Sequence, residues 1–215
     1  SRRQRQMCIR DSYQGESIVH SIFRDGLIVW SMIGKLFSRD LVGRVYSELS
    51  HDNMFQAEDA YFMFVASCMS TKMVARGSLP AYIYHMGSGG TQAGRLLGIG
   101  AFDRICKNGL VADRVESYLR DKDLLSEYAD DFRHLKRALV CDPANRYINY
   151  LEPDASREAL NRFLDHWQAC DVIGSLASMG WNDGPRAFRR LLEGLPDCSR
   201  NMPPRVVGLA YHSLG

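Results

Sequence analysis

The stretch that decides the fold runs Trp30-Ser31-Met32-Ile33-Gly34-Lys35-Leu36-Phe37-Ser38-Arg39-Asp40, then Glu58-Asp59-Ala60-Tyr61-Phe62, then Tyr82-Ile83-Tyr84-His85-Met86-Gly87-Ser88. From Ala57 to about Met73 the apolar spacing is helical. Phe62, Val65, Met69 and Met73 fall on one stripe, with Tyr61, Phe64 and Cys68 beside it. A helix apolar over that much of its girth is buried, and this one opens on two acids. Ahead of it, Asp25-Gly26 leads into Leu27-Ile28-Val29-Trp30, a short apolar run that reads as a strand. Gly34-Lys35-Leu36-Phe37 follows as a turn, Arg39 to Leu49 as a short helix, and Ser50-His51-Asp52-Asn53 as loop. After the helix, Gly77-Ser78-Leu79-Pro80 turns the chain, Ala81 to His85 alternates like a strand, and Gly87-Ser88-Gly89-Gly90-Thr91 is a flexible tract.

Working outward, residues 13–25 carry Ile18, Val19, Ile22 and Phe23 at helical spacing. Beyond residue 95 the pattern is helical almost throughout. Val111, Val115, Tyr118 and Leu119 repeat that way, as do Leu124, Leu125, Tyr128, Phe132, Leu135 and Leu139. Asp154-Ala155-Ser156-Arg157-Glu158 reads as a helix start continued by Leu160, Phe163, Leu164 and Trp167. Asn182-Asp183-Gly184-Pro185 reads as the start of a last helix bearing Phe188, Leu191 and Leu192. The expected fold is an α/β segment followed by a mostly helical region, predominantly helical overall. The expected divisions are 1–12, 13–95, 96–200 and 201–215.

The ends read as additions to that body. Ser1 to Ser12 has no apolar period, and it reads as the translation of a sequencing adapter, without structure. A basic arm that touches phosphate is the competing reading. Pro203-Pro204 to Gly215 reads as a linker and a short β-rich run, either an ordinary terminal strand or the opening of a further domain.

The 215 residues are 46% hydrophobic and 10% aromatic, enough to fill a core. The net charge of +2 comes from the first twelve residues, where Arg2, Arg3, Arg5 and Arg10 stand against Asp11. The remaining chain holds 23 basic and 24 acidic side chains and has no general attraction for nucleic acid. The six cysteines, Cys8, Cys68, Cys106, Cys141, Cys170 and Cys198, have wide, irregular spacings unlike a zinc knuckle or redox dithiol. They read as reduced thiols, in a cytoplasmic setting.

Two acids before an apolar helix have an ordinary use as first-turn residues favoured by the helix dipole. The same placement serves catalysis. A carboxylate at a helix N-terminus is held ionised, aimed out of the helix end, and able to accept a proton. The neighbours favour this second use. Trp30, Gly34-Lys35-Leu36-Phe37 and Arg39 precede Glu58-Asp59, and Tyr82, Tyr84 and Ser88 follow, with gaps of about twenty residues. In that order they resemble the acceptor half of a family 2 glycosyltransferase. Ile33 departs from the aromatic that family carries before Gly-Lys-Leu, unless Trp30 takes its role. His85 departs from its usual arginine.

The resemblance covers residues 13 to about 92. It implies part of a GT-A domain, Asp59 as the base and Glu58 as the residue that orients it or the acceptor. Lys35, Trp30, Arg39, Tyr84, His85 and Ser88 would then meet the substrates, with His85 a conceivable metal contact. It implies a nucleotide-sugar donor, a glycan or lipid-linked acceptor, and a divalent metal, Mg or Mn, whose ligands fall mostly elsewhere in a parent enzyme. It places that parent in cell-surface polysaccharide synthesis at the inner face of a bacterial membrane, with peripheral association, and leaves this segment inactive alone. Asp121-Lys122-Asp123 has the letters of the family's metal motif but sits in the helical part, where it reads as a solvated helix boundary. A non-catalytic helical adaptor, with the acidic pair as a mere cap, is the alternative.

Overall fold

The structure, a computed structural model, describes residues 10–76 and 96–183. It is predominantly helical. Two compact units interleave along the chain, one gathering Ser1–Ala93 with Leu110–Ala138, the other Gly94–Gly109 with Leu139–Gly215. The division near residue 95 expected from sequence therefore does not carry the units by itself, because the helices of 110–138 belong with the first.

The first unit opens with strand β1 (Arg10–Gln14), paired antiparallel with β2 (Lys72–Arg76), Arg10 opposite Arg76 and Gln14 opposite Lys72. Residues 10–12 are thus strand, which corrects the expectation that residues 1–12 are unstructured. β2 corrects the helix expected to run through Met73. Ser67 and Ser70 turn their hydroxyls onto the carbonyls of Met63 and Ala66 at 2.6 Å each, and Ser70 is already extended at ψ 133°. Gly15, at φ +54°, turns the chain from β1 into helix α1 (Glu16–Val19), which widens into a π-helical turn over His20–Arg24. The stripe read from sequence is real here: Ile18, Val19, Ile22 and Phe23 are all buried.

Leu27 to Trp30 is irregular rather than a strand. The N–H groups of Leu27 and Ile28 both donate to the Ser21 carbonyl, at 2.9 and 3.2 Å, so they close the end of the π turn instead of joining a ladder. Leu27 and Val29 are consequently exposed. Helix α2 (Arg39–Glu48) is capped by Ser38, whose hydroxyl accepts from the Leu41 N–H at 3.2 Å. Helix α3 (Glu58–Met69) is the core of the unit, with every residue from Ala60 to Ser67 buried. Val45 of α2 and Val111, Val115, Tyr118 and Leu119 of α5 (Gly109–Asp121) are buried as well. The loop before α3 is tied down by Arg114 to Asp52 at 2.5 Å, and Lys122 reaches Glu48 of α2 at 2.8 Å. Asp131, at the start of α6 (Ala129–Asn149), is 1% exposed and receives His20 Nδ1 at 2.9 Å on both carboxylate oxygens.

The second unit contains α4 (Ile99–Cys106), the latter part of α6, a 3-10 turn (Pro153–Ala155), α7 (Ser156–His166) and α8 (Ala169–Asp183). Asn182 and Asp183 therefore end a helix; the helix expected after them lies outside the described residues. Phe102 meets Phe163 edge-on at 6.0 Å, and Tyr147 lies 6.1 Å from Phe102, all three buried. Pro143 sits inside α6 without an N–H, so the Leu139 carbonyl has no helical donor. Asn108 supplies one, its Nδ2 donating to Leu139 O at 2.7 Å. Trp167 Nε1 donates to Asn108 Oδ1 and to the Cys106 carbonyl, each at 3.1 Å. Gly109 follows with no room for a side chain, since a Cβ there would collide with the His166 carbonyl oxygen.

Among the described residues the sheet is two-stranded and antiparallel, and no helix is long and apolar enough to cross a membrane.

Candidate functional site

The acidic pair sits where the sequence puts it, on the first turn of α3. What precedes it is unusual. Ala57 is in the left-handed region at φ +59°, a conformation that a Cβ disfavours, and no side chain caps the helix. The Ala57 carbonyl takes the Ala60 N–H at 3.0 Å and the Tyr61 N–H at 3.4 Å. Glu58 points into solvent, and Asp59 is half-buried. Burial pushes the Asp59 carboxyl above the ordinary carboxylate range, and the Glu58 charge adds to this. The N–H groups of Ala60 and Asp59 and the Lys35 charge pull against it without reversing it.

Lys35 sits in a closed loop. Its own N–H donates to the Met32 carbonyl at 3.2 Å, and Gly34 takes φ +72°, which glycine alone adopts without strain. The ammonium donates to the Val29 carbonyl at 2.6 Å and to the Ser31 carbonyl. Burial lowers the Lys35 ammonium below the usual lysine range, and the Asp59 charge pulls it back up. Ring contacts tie the loop to α3, one through Phe23 and one directly. Trp30 lies 6.1 Å from Phe23, which lies 4.7 Å from Phe64. Phe37 meets Phe62 edge-on at 5.3 Å. Phe62 is three residues past Asp59, on the same helix face.

The structure thus seats the Lys35 loop, through Phe37, on the helix that carries Asp59, and packs Trp30 on Phe23. Arg39 opens α2 as an exposed side chain, its neighbour Asp40 pairing with Arg44 at 3.1 Å. Tyr84, His85 and Ser88 lie outside the described residues, as do the expected strand over 81–85 and the glycine tract. Asp121 ends α5, Asp123 takes φ +57°, and Lys122 between them pairs with Glu48, so this triplet closes a helix. Among the described residues no three His, Cys, Asp or Glu side chains gather as metal ligands would. Of the thiols, Cys106 is buried, Cys68 half-buried and Cys170 exposed, and burial raises the first two well above the usual thiol range.

Three features of the site went unread in the sequence. The carbonyls of Val29 and Ser31 hold the lysine, but a backbone acceptor leaves no mark on residue type. The left-handed Ala57 breaks the expectation that glycine or asparagine marks such a position. Phe37 was visible only as part of a turn, although an aromatic beside the lysine was the available clue to its anchor. Comparison with protein-family models, with curated proteins and with solved structures finds no match.

Proposed function

We propose that this chain is the acceptor-side part of a GT-A glycosyltransferase, with Asp59 as the general base. The observation that carries the reading is a half-buried carboxylate on the opening turn of a buried helix, with the Lys35 loop clamped against the same helix. In the reaction, Asp59 takes the proton of an acceptor hydroxyl as its oxygen bonds to the anomeric carbon of a nucleotide sugar. The bond from that carbon to the diphosphate breaks, and its electron pair leaves with the diphosphate. Burial suits the base role, because a carboxylate less well solvated than usual is a stronger proton acceptor. Glu58, exposed beside it, orients the acceptor. The divalent ion implied by the resemblance has no ligand set among the described residues, so no step is drawn through it. The setting is polysaccharide assembly at the inner face of a bacterial membrane.

In the parent enzyme, Asp59→Asn is expected to lower sugar transfer by about 10²–10⁴-fold with an unchanged fold, the range typical of a lost acid–base group. Radiolabelled transfer from a panel of nucleotide sugars reads it, and full activity in the variant refutes the base. A second reading, a non-catalytic helical binding module, draws on the exposed Leu27, Val29, Ile33 and Leu36 of the same loop. Under it, binding persists in Asp59→Asn and disappears when those aliphatic side chains are made polar.

A further inference from the structure

We propose that the loop over residues 27–37 is a lipid-docking surface, which seats its aliphatic tips in an anionic bilayer. This gives the membrane setting proposed above its point of contact, and it rests on that setting, not on Asp59 as the base. Between the π turn and α2 the chain carries Leu27, Val29, Met32, Ile33 and Leu36, all exposed. Leu36 is 102% exposed, as open as in an extended chain, and Val29 is 66% exposed. A single exposed aliphatic side chain is ordinary, whereas several gathered in one short loop mark a contact surface. Loops ordinarily stay in water because their backbone groups need it. Here many of those groups are answered from within. The Leu27 and Ile28 N–H groups donate to the Ser21 carbonyl, and the Lys35 N–H donates to the Met32 carbonyl at 3.2 Å. The Ile33 N–H donates to Ser31 Oγ at 3.2 Å. The Lys35 ammonium turns back onto the Val29 carbonyl at 2.6 Å and onto the Ser31 carbonyl. Polar groups already hydrogen-bonded cost far less to withdraw from water than open ones.

Charge and shape select the occupant. From Gly26 to Arg39 the sequence holds Lys35 and Arg39 and no acid. Arg39 is exposed where the loop meets α2, while Arg24 and Arg44 just outside are paired with Asp25 and Asp40. An apolar loop with a cationic rim is attracted to anionic headgroups. The loop is neither helix nor strand, so it offers a protein partner no helical face and no strand edge. A protein interface also needs a packed, shape-matched core, whereas fluid acyl chains receive side chains that project one by one. Trp30 packs against Phe23 at 6.1 Å and stays partly exposed, which suits an indole at the headgroup level.

The test sediments the whole chain with vesicles. The chain is expected to pellet with phosphatidylcholine containing about 30 mol% phosphatidylserine, and to bind pure phosphatidylcholine about tenfold more weakly. Leu36→Ser and Val29→Ser should each weaken binding about tenfold, the size of one aliphatic transfer. Both side chains are exposed, so circular dichroism and Tm should stay as in wild type. Leu96→Ser removes an exposed leucine outside the loop and should bind as wild type does. A wild-type chain that stays in the supernatant, undiminished binding in both loop variants, or an equal loss in Leu96→Ser each overturns the proposal. So does a dimer, seen by sedimentation equilibrium, that Leu36→Ser dissociates, since the loop would then join two copies of the chain. Asp59→Asn should bind vesicles as wild type does. Lipid binding can therefore fail while Asp59→Asn still abolishes transfer in the parent enzyme. Equally, it can hold where transfer survives that substitution.

Discussion

The junction at Asn108 and the helix tip at Asp59 handle polar groups in opposite ways. At the junction, a proline removes a helical donor and a buried asparagine replaces it, with its remaining oxygen taken by Trp167. Each group in that chain is answered by another. At the tip, a left-handed alanine stands where a cap belongs, and burial works against the charge of both Asp59 and Lys35. A fold selected only for stability has no use for the second arrangement. Under the function proposed above, the tip is where stability was given up for chemistry, whereas the answered groups at Asn108 are architecture.

Substitutions can break this contrast from either side. The largest effect is expected at the junction. Gly109→Ala drives a Cβ into the His166 carbonyl, a backbone atom that cannot swing away, and should destabilise the chain by about 3 kcal/mol. Urea unfolding checks it, and a wild-type midpoint refutes the packing described. Asn108→Leu leaves the Leu139 carbonyl and the Trp167 indole without their side-chain partner, which should cost about 2 kcal/mol. Pro143→Ala restores a backbone donor for Leu139, so adding it to Asn108→Leu should recover part of that loss. Strict additivity of the two would show that the proline and the asparagine are not coupled.

At the tip the signs reverse. Ala57→Gly removes the left-handed strain and should stabilise the chain by about 1 kcal/mol or less, read as a rise in Tm. Asp59→Asn is expected to raise Tm at pH 7 by the smallest margin. The folded chain holds the Asp59 proton more tightly than the unfolded chain does, so above both pKa values the charge opposes folding. That penalty fades as pH falls through the raised value, and the two melting curves should meet in the acid range. A variant less stable than wild type at pH 7 would make Asp59 an ordinary helix-capping acid.

Much of the fold was legible because it rests on helical periodicity. Phe62 and Val65 lie buried on α3, and Ile18, Val19, Ile22 and Phe23 are buried as their spacing implied. What escaped was decided by partners distant in the chain or by single backbone atoms. β1 and β2 are each five residues long, and neither announces a partner some sixty residues away. Leu27 to Trp30 has strand composition, but the Ser21 carbonyl takes the donors a ladder would need. Of the site, the acidic pair and the lysine could be read from residue type and order. Lys35 as an internally bound cation could not, since its partners are carbonyls that any sequence provides.

The replacement of one helical amide by the Asn108 side chain has a consequence for how the second unit opens. Local melting of the helix around Pro143 must also release the end of α4 and the indole that follows α7, since one asparagine holds all three. Those segments should then exchange their amide hydrogens as one cooperative block, not by independent fraying. The emission of Trp167 should change in step with that exchange, so a chain in which Trp30 and Trp181 are replaced by Phe reports the opening through its one remaining indole.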